Sequence, residues 1–217
     1  RALEHGRLQA RAMAAAKLIA CSENMRDDAP VFTGRFGVPC DASSIDVVPD
    51  GINDIALWGR ESRLEEWIEQ RAGGKRRALL IGRFIPIKRV QDYMTACRIL
   101  MNLDHDLFMV LVAYGKESDM RKVRDQFRRM FLPDEAEALY HLANPPDLLE
   151  HVDLGVSCSS VEGLPMTLLE YMRGGVPVVC TDIVAHRQII EDGRTGLMYQ
   201  VGDVAGFAAS AFMRGVP

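Results

Sequence analysis

The sequence predicts an α/β protein built on a Rossmann-like, doubly wound parallel sheet. From residue 78 onward, short runs rich in Val, Ile and Leu alternate with longer amphipathic stretches, the pattern of strands buried on both faces and joined by crossover helices. Turn-forming residues punctuate the joints: Gly174-Gly175 stops a helix, and Val176-Pro177 opens the next apolar run. The candidate strands are Ala78 to Gly82, Leu107 to Ala113, Leu139 to Leu142, Leu154 to Cys158 and Pro177 to Thr181, with a shorter one at Leu197 to Gln200. Arg89 to Asn102, Glu117 to Phe131 and Met166 to Arg173 read as helices because apolar residues recur three and four apart. A further helix is expected over Val204 to Arg214. Sheets of this kind bind ligands in the crevice at the carboxyl ends of their strands, so the chemistry is expected at that edge.

The first part of the chain reads differently. An Ala-rich helix (Leu8 to Ala16), a strand (Lys17 to Cys21) and a loop region lead to Ile45-Asp46-Val47-Val48-Pro49-Asp50-Gly51. Two strands cannot close a core alone. Arg60 to Arg77, rich in Arg and Lys, reads as a solvated helix and linker. The expected division is a remnant of a preceding domain over 1–57 and a main domain over 58–217 that lacks its final helix. Both ends look cut, since the chain starts at Arg1 without an initiator Met and stops at Pro217 directly after a helix.

Bulk composition excludes several classes. With 26 basic against 30 acidic side chains and a formal charge of -4 over 217 residues, no global field draws the protein to nucleic acid. Cysteines 21, 40, 97, 158 and 180 are odd in number, lack CxxC spacing and sit mostly in apolar runs. They read as reduced core residues of a cytoplasmic protein rather than as disulfides or metal ligands. The five His residues make no metal-type spacing with Cys or acidic residues, so no metal site is expected. No apolar run reaches the roughly 18 residues that span a bilayer, and no signal peptide is recognisable.

The most informative stretch is Glu162-Gly163-Leu164-Pro165-Met166-Thr167-Leu168-Leu169-Glu170, which follows a buried strand and enters a helix. Gly163 lets backbone approach a ligand, and Pro165 suits a first helical turn because its missing N–H is no loss there. Free N–H groups around Met166 and Thr167 would then face the strand-end crevice, offering a diphosphate both donors and a favourable dipole. Glu162 and Glu170 could each hold a vicinal diol, since a carboxylate accepts two hydrogen bonds. The plainer alternative is that Glu162 caps the helix and Glu170 is an ordinary surface charge. A second cluster, Ile81-Gly82-Arg83-Phe84-Ile85-Pro86-Ile87-Lys88-Arg89, follows the first main strand. Gly82 and Pro86 shape a tight loop that would bring Arg83 and Lys88 to the same edge. Two cations beside a helix N-terminus can neutralise a leaving nucleoside diphosphate, although a basic loop facing water would look the same.

Val47-Val48-Pro49-Asp50-Gly51-Ile52-Asn53, Gly82-Arg83 with Lys88, Ala113-Tyr114-Gly115, Glu162 to Glu170, Gly174-Gly175-Val176-Pro177-Val178-Val179 and Gly193-Arg194-Thr195-Gly196-Leu197 follow one another in a fixed order. In this order they resemble the family-four retaining glycosyltransferases of the GT-B type, and the resemblance runs from residue 17 to 207. It implies that this chain is one half of a GT-B fold, holding the donor, with residues 1–57 as the remnant of the N-terminal acceptor-binding domain. It implies further that Arg83 and Lys88 stabilise the departing diphosphate and that Glu162 contacts hydroxyls of the donor sugar. Gly82 and Gly163, Leu164, Pro165, Met166 and Thr167 would hold sugar and phosphate, and Glu170 would bind the ribose hydroxyls. Transfer would proceed with retention from a UDP- or GDP-linked sugar, with no metal or other cofactor. The glycan or lipid-linked acceptor would be bound by the missing N-terminal domain, which could also dock on the inner face of a membrane.

The sequence departs from the family pattern in three places. Most of the acceptor domain is absent, so the fragment is expected to be inactive alone. Cys158 stands where a Pro is customary, and the loop Asp182-Ile183-Val184-Ala185-His186-Arg187-Gln188 lacks the usual Gly-Gly and acidic residue, with Gln188 in the acid's place. His186 reads there as a surface loop residue. Two other functions remain open: a non-hydrolysing nucleotide-sugar epimerase of the same fold, and a non-catalytic half that works only with a separate acceptor-domain chain.

Overall fold

The computed structural model describes residues 2–15, 17–52, 68–103, 106–142 and 145–213. They form two compact units: one contains the chain up to Gly51 together with Glu162–Leu164, and the other contains the rest. The expected boundary between residues 57 and 58 lies outside the described residues.

In the first unit, helix α1 (Ala2–Ala15) is followed by strand β1 (Ile19–Ala20), helix α2 (Glu23–Gly34) and strand β2 (Asp46–Val47). The two strands pair in parallel, Ile19 with Asp46 and Ala20 with Val47. Helix α2 occupies most of what reads from sequence as a loop. Ser22 supplies its N-cap, its Oγ accepting from Met25 N at 3.4 Å. Asp27-Asp28-Ala29-Pro30 is a turn-like string that hides the helix, yet Pro30 is accommodated inside it. Ser22 Oγ donates to the Gly163 carbonyl at 2.9 Å and Asn24 Nδ2 to the Glu162 carbonyl at 3.0 Å, which accounts for the grouping of residues 162–164 with this unit.

The second unit is a six-stranded sheet. Its strands are β3 (Arg76–Arg83), β4 (Leu107–Tyr114), β5 (Ala136–Tyr140), β6 (Leu154–Ser157), β7 (Val178–Thr181) and β8 (Leu197–Tyr199). The helices between and after them are α3 (Val90–Asn102), α4 (Glu117–Met130), α5 (Met166–Arg173), the single turn α6 (Val184–Arg187) and α7 (Val204–Met213). The spatial order is β5-β4-β3-β6-β7-β8 with every neighbouring pair parallel. The chain builds outward from β3 to β5, then returns to the other side of β3 to lay down β6, which is the doubly wound order with its switch point between β3 and β6.

Strand alternation divides the core into two layers. Ala78, Leu80, Met109 and Leu111 face Tyr93 of α3, Met120 and Val123 of α4, and Phe207 of α7. Leu79, Phe108, Val110 and Val112 face Leu168 and Tyr171 of α5. Ile68 and Ala72, from helical residues 68–72, are buried in this second layer, so this part of the expected solvated linker belongs to the core. The strand expected over Leu139 to Leu142 lies earlier, because the turn before it is fixed by Glu135. That carboxylate accepts from Leu132 N at 2.7 Å and pairs with Arg98, whose hydrogen bonds bring it down to about 2. The strand ends at Tyr140, where His141 turns to a φ of 55°. Helix α5 ends as expected at Gly174-Gly175: Gly175 takes a φ of 70°, its N–H reaches the Met172 carbonyl, and Val176 N reaches the Tyr171 carbonyl, a Schellman closure.

The two strands at the switch point separate abruptly. Strand β3 pairs with β4 as far as Arg83 and Tyr114 but with β6 only through Leu80 and Val156. Tyr171 reaches into the split from α5, its hydroxyl accepting from Ile81 N at 3.2 Å and donating to the Leu79 carbonyl at 3.1 Å. Gly155 makes room for the ring, since a Cβ there would lie 2.4 Å from Tyr171 Cδ2. Tyr171→Phe leaves a buried donor and acceptor unpaired and is expected to lower the unfolding free energy in urea by about 1–3 kcal/mol. Gly155→Ala, which forces the ring to move, is expected to cost at least as much, and unchanged midpoints for both would refute this account of the switch point.

Candidate functional site

The carboxyl edge of the sheet begins with the end of β3. Arg83 is exposed, and its side chain has no hydrogen-bond or ion-pair partner among the described residues. Phe84 N donates to the Tyr114 carbonyl at 2.7 Å, and a 3₁₀ turn over Pro86–Lys88 then carries the chain into α3. Lys88 is half-buried, and its Cδ passes 4.0 Å from the place of a Gly82 Cβ, an ordinary contact distance. Arg89 adopts a φ of 46° at the start of α3, held by its Nε bond to Asp92 Oδ2 at 2.6 Å.

The loop leaving β6 meets this turn. Ser160 donates to the Ile87 carbonyl through its N–H at 2.8 Å and its hydroxyl at 3.2 Å. The loop leaving β6 and the turn that leads to Lys88 are therefore tied together across the switch point. Pro165 is the N-cap residue of α5, one place before the expected first-turn position. The shift costs nothing, because a proline is equally without loss where no helical N–H bond is made. No side chain caps this helix, so Glu162 is not its cap and the first-turn donors of half-buried Met166 and Thr167 are not consumed by one. An uncapped helix N-terminus at a strand-end crevice favours an anion. Glu162, Gly163 and Leu164 fall in the first unit and are not part of this assembly within the second.

Glu170 lies half-buried on α5, and burial lifts its carboxyl above the usual carboxylate range. It has no hydrogen-bond or ion-pair partner among the described residues, which is not how an ordinary surface charge is housed. Its charge is felt by Tyr114, whose phenol is pushed up to about 12, first by burial and then by Glu170. Tyr114 donates to the Leu142 carbonyl at 2.7 Å and meets the His141 ring edge-on at 6.1 Å between centroids.

Sequence reasoning misplaced His186. It is wholly buried rather than on a surface loop, with Nδ1 2.7 Å from the Thr181 carbonyl and Nε2 3.3 Å from Ser157 Oγ. The surrounding residues mislead because Asp182 and Arg187 do face solvent, paired at 2.5 Å and 2.7 Å, and their bond folds the turn that carries His186 inward. Cys158, in the place of the customary Pro, is fully buried and its thiol is pushed up to about 12 by that burial. The five cysteines are free, and among the described residues no helix is long and apolar enough to cross a membrane.

Strand order defines a doubly wound α/β protein with its switch point between β3 and β6, and α5, which carries an uncapped N-terminus and the half-buried Glu170, packs there. The particular family is that of the glycosyl transferases group 1, to which the chain belongs and which it matches over residues 75–212. Among curated relatives, N-acetyl-alpha-D-glucosaminyl L-malate synthase of Bacillus anthracis is 30% identical over 132 residues, covering 60% of this chain and 34% of that protein. Glycogen synthase of Mycobacterium tuberculosis is 28% identical over 195 residues, covering 89% of this chain and 44% of that protein. The fold is shared with Anabaena Alr3699/HepE, solved in complex with UDP and glucose, at a TM-score of 0.76 and 21% identity over 95% of this chain and 56% of that one. The chain thus spans between a third and a little over half the length of these proteins.

The state of Glu170 makes a prediction about stability. A carboxyl raised by folding contributes stability that is complete below its unfolded pKa and is lost as the pH climbs through the raised folded value. Glu170→Gln is therefore expected to raise the unfolding temperature at pH 7–8 and to change it little near pH 4. A variant less stable than the parent at both pH values would show that the carboxylate has a stabilising partner.

Proposed function

We propose that this chain is the donor-binding part of a retaining, nucleotide-sugar-dependent glycosyltransferase, with Arg83 and Lys88 on the departing diphosphate, Glu162 on the sugar hydroxyls and Glu170 on the ribose. The observation that carries the reading is the bond from Ser160 to Ile87, which joins the Arg83–Lys88 loop to the loop that leaves β6 ahead of the uncapped α5. Membership of the glycosyl transferases group 1 and likeness to relatives named as a glucosaminyl malate synthase and a glycogen synthase support it.

Transfer with retention breaks the bond from the anomeric carbon to the diphosphate while the acceptor oxygen bonds that carbon on the same face. The acceptor proton passes to a donor phosphate oxygen. Negative charge accumulates on the leaving diphosphate, where two fixed cations and the α5 dipole lower its energy most at the moment of departure. The donor is a UDP- or GDP-linked sugar, no metal or cofactor is required, and the acceptor is a glycan or lipid-linked molecule held by another domain in the cytoplasm. Backbone of Gly82 and of Gly163, Leu164, Pro165, Met166 and Thr167 holds sugar and phosphate.

Calorimetric titration with UDP, GDP and their glucose and mannose conjugates tests the reading. Binding is expected in the low millimolar range or tighter, and Glu170→Ala, which removes a charged acceptor, should weaken it by about ten- to a hundredfold. Replacing Lys88 by Ala should weaken the diphosphates while leaving the nucleoside unaffected. A well-folded sample that binds no nucleotide sinks the proposal, and an epimerised donor formed without acceptor would reassign the chemistry to an epimerase.

A further inference from the structure

His186 takes no part in the chemistry assigned above, yet it is wholly buried amid hydrogen-bonding groups. The Thr181 carbonyl 2.7 Å away can only accept, so Nδ1 carries the hydrogen, and Nε2 is left to accept from Ser157 Oγ at 3.3 Å. The same Nδ1 stands 3.3 Å from Thr181 Oγ1, which donates to the Ser159 carbonyl at 2.5 Å. The next residue, Ser160, donates twice to the Ile87 carbonyl, at 2.8 Å and 3.2 Å. A continuous polar relay thus runs from a histidine in the core, through one hydroxyl, to the backbone of the loop leaving β6 and on to the residue before Lys88.

Such a relay is costly to bury unless each member is satisfied, and satisfied it holds its members in one geometry. An apolar side chain of the same volume would fill the place of His186 without needing partners. What it could not do is orient the Thr181 hydroxyl toward Ser159. From this geometry we infer that His186 is a positioning residue of the donor site: through Thr181 it fixes the Ser159–Ser160 backbone, and through Ile87 the turn that presents Lys88 to a nucleoside diphosphate. The inference rests on the donor-site reading given above.

His186→Phe keeps a ring of similar size and removes both nitrogens, while Thr181→Val keeps the branched shape and removes the hydroxyl. Each interrupts the relay at Thr181 Oγ1, and because the effect reaches the site only through the loop, each is expected to weaken UDP binding by about three- to tenfold by calorimetry. His186→Asn, whose amide can stand in for Nδ1 as donor to the Thr181 carbonyl, should recover most of the affinity. The double variant His186→Phe with Thr181→Val should lose clearly less than the product of the two single losses, because both cut the same path. Unchanged UDP affinity in folded His186→Phe and Thr181→Val, or a double variant whose losses multiply in full, overturns the inference and leaves His186 as packing alone. Where His186→Phe does not fold, Thr181→Val, set beside Thr181→Ser, which keeps the hydroxyl, carries the comparison: a loss in the first that the second does not show is expected, and equal affinities overturn the inference. Failure of the parent protein itself to bind UDP or GDP strikes the donor-site reading instead, so the two failures are told apart.

Discussion

The structure depends on an unequal pairing. Strand β3 keeps its partner β4 through Arg83 but loses β6 after Leu80. In a parallel sheet every ladder group that loses its strand must find another partner or water. Tyr171 supplies that partner for Ile81 N and the Leu79 carbonyl, so the strands can part without leaving backbone unsatisfied in the core. The same contact sets the height and rotation of α5. Glu170 precedes Tyr171, and the uncapped N-terminus lies one turn further back, so both inherit their position from the phenol at the switch point. Gly155 is the complementary constraint, because only a residue without a side chain lets the ring lie on β6.

The edge so formed is left electrostatically incomplete. Burial penalises the Glu170 carboxylate with no bonded partner to offset it, and no side chain caps α5. Both features cost stability in the free protein. Local costs of this kind are uncommon where only packing is at stake, because sequence and fold otherwise agree at every level.

Much of this could be read from sequence, for identifiable reasons. Strands buried on both faces are continuous apolar runs, so five of the six in the second unit lie where hydropathy places them. Strand β5 slips because Ala136-Glu137-Ala138 looks helical by propensity and its start is set by the distant Arg98 pairing with Glu135. Helix α2 is hidden by its aspartates and Pro30. The Glu162 and Glu170 spacing could not by itself separate a ligand carboxylate from a surface charge; what the structure adds is that Glu170 is half-buried. His186 was the least legible of all, because its partners come from two strands and its own neighbours are solvated. No local pattern announces a polar residue whose role is to satisfy groups twenty-nine positions away.

The handling of charge across the second unit points the same way. Arg77 is paired with Asp153, Arg89 with Asp92, Arg98 with Glu135 and Arg187 with Asp182, at distances between 2.5 Å and 3.2 Å. The more exposed of these pairs add little stability, typically less than about 1 kcal/mol each, but all of them neutralise charge locally. Arg83 and Glu170 stand outside this scheme, neither having an ion-pair partner among the described residues. Had they been placed to pair with each other, the edge would be neutral and its hydrogen-bonding capacity spent. Keeping a cation and a carboxylate on adjoining elements but unpaired requires rigid supports on both sides of the split, and Ser160 on Ile87 and Tyr171 on Leu79 are those supports. The result is an exposed cation and a half-buried carboxylate on two elements of one unit, each with its hydrogen-bonding capacity unspent among the described residues.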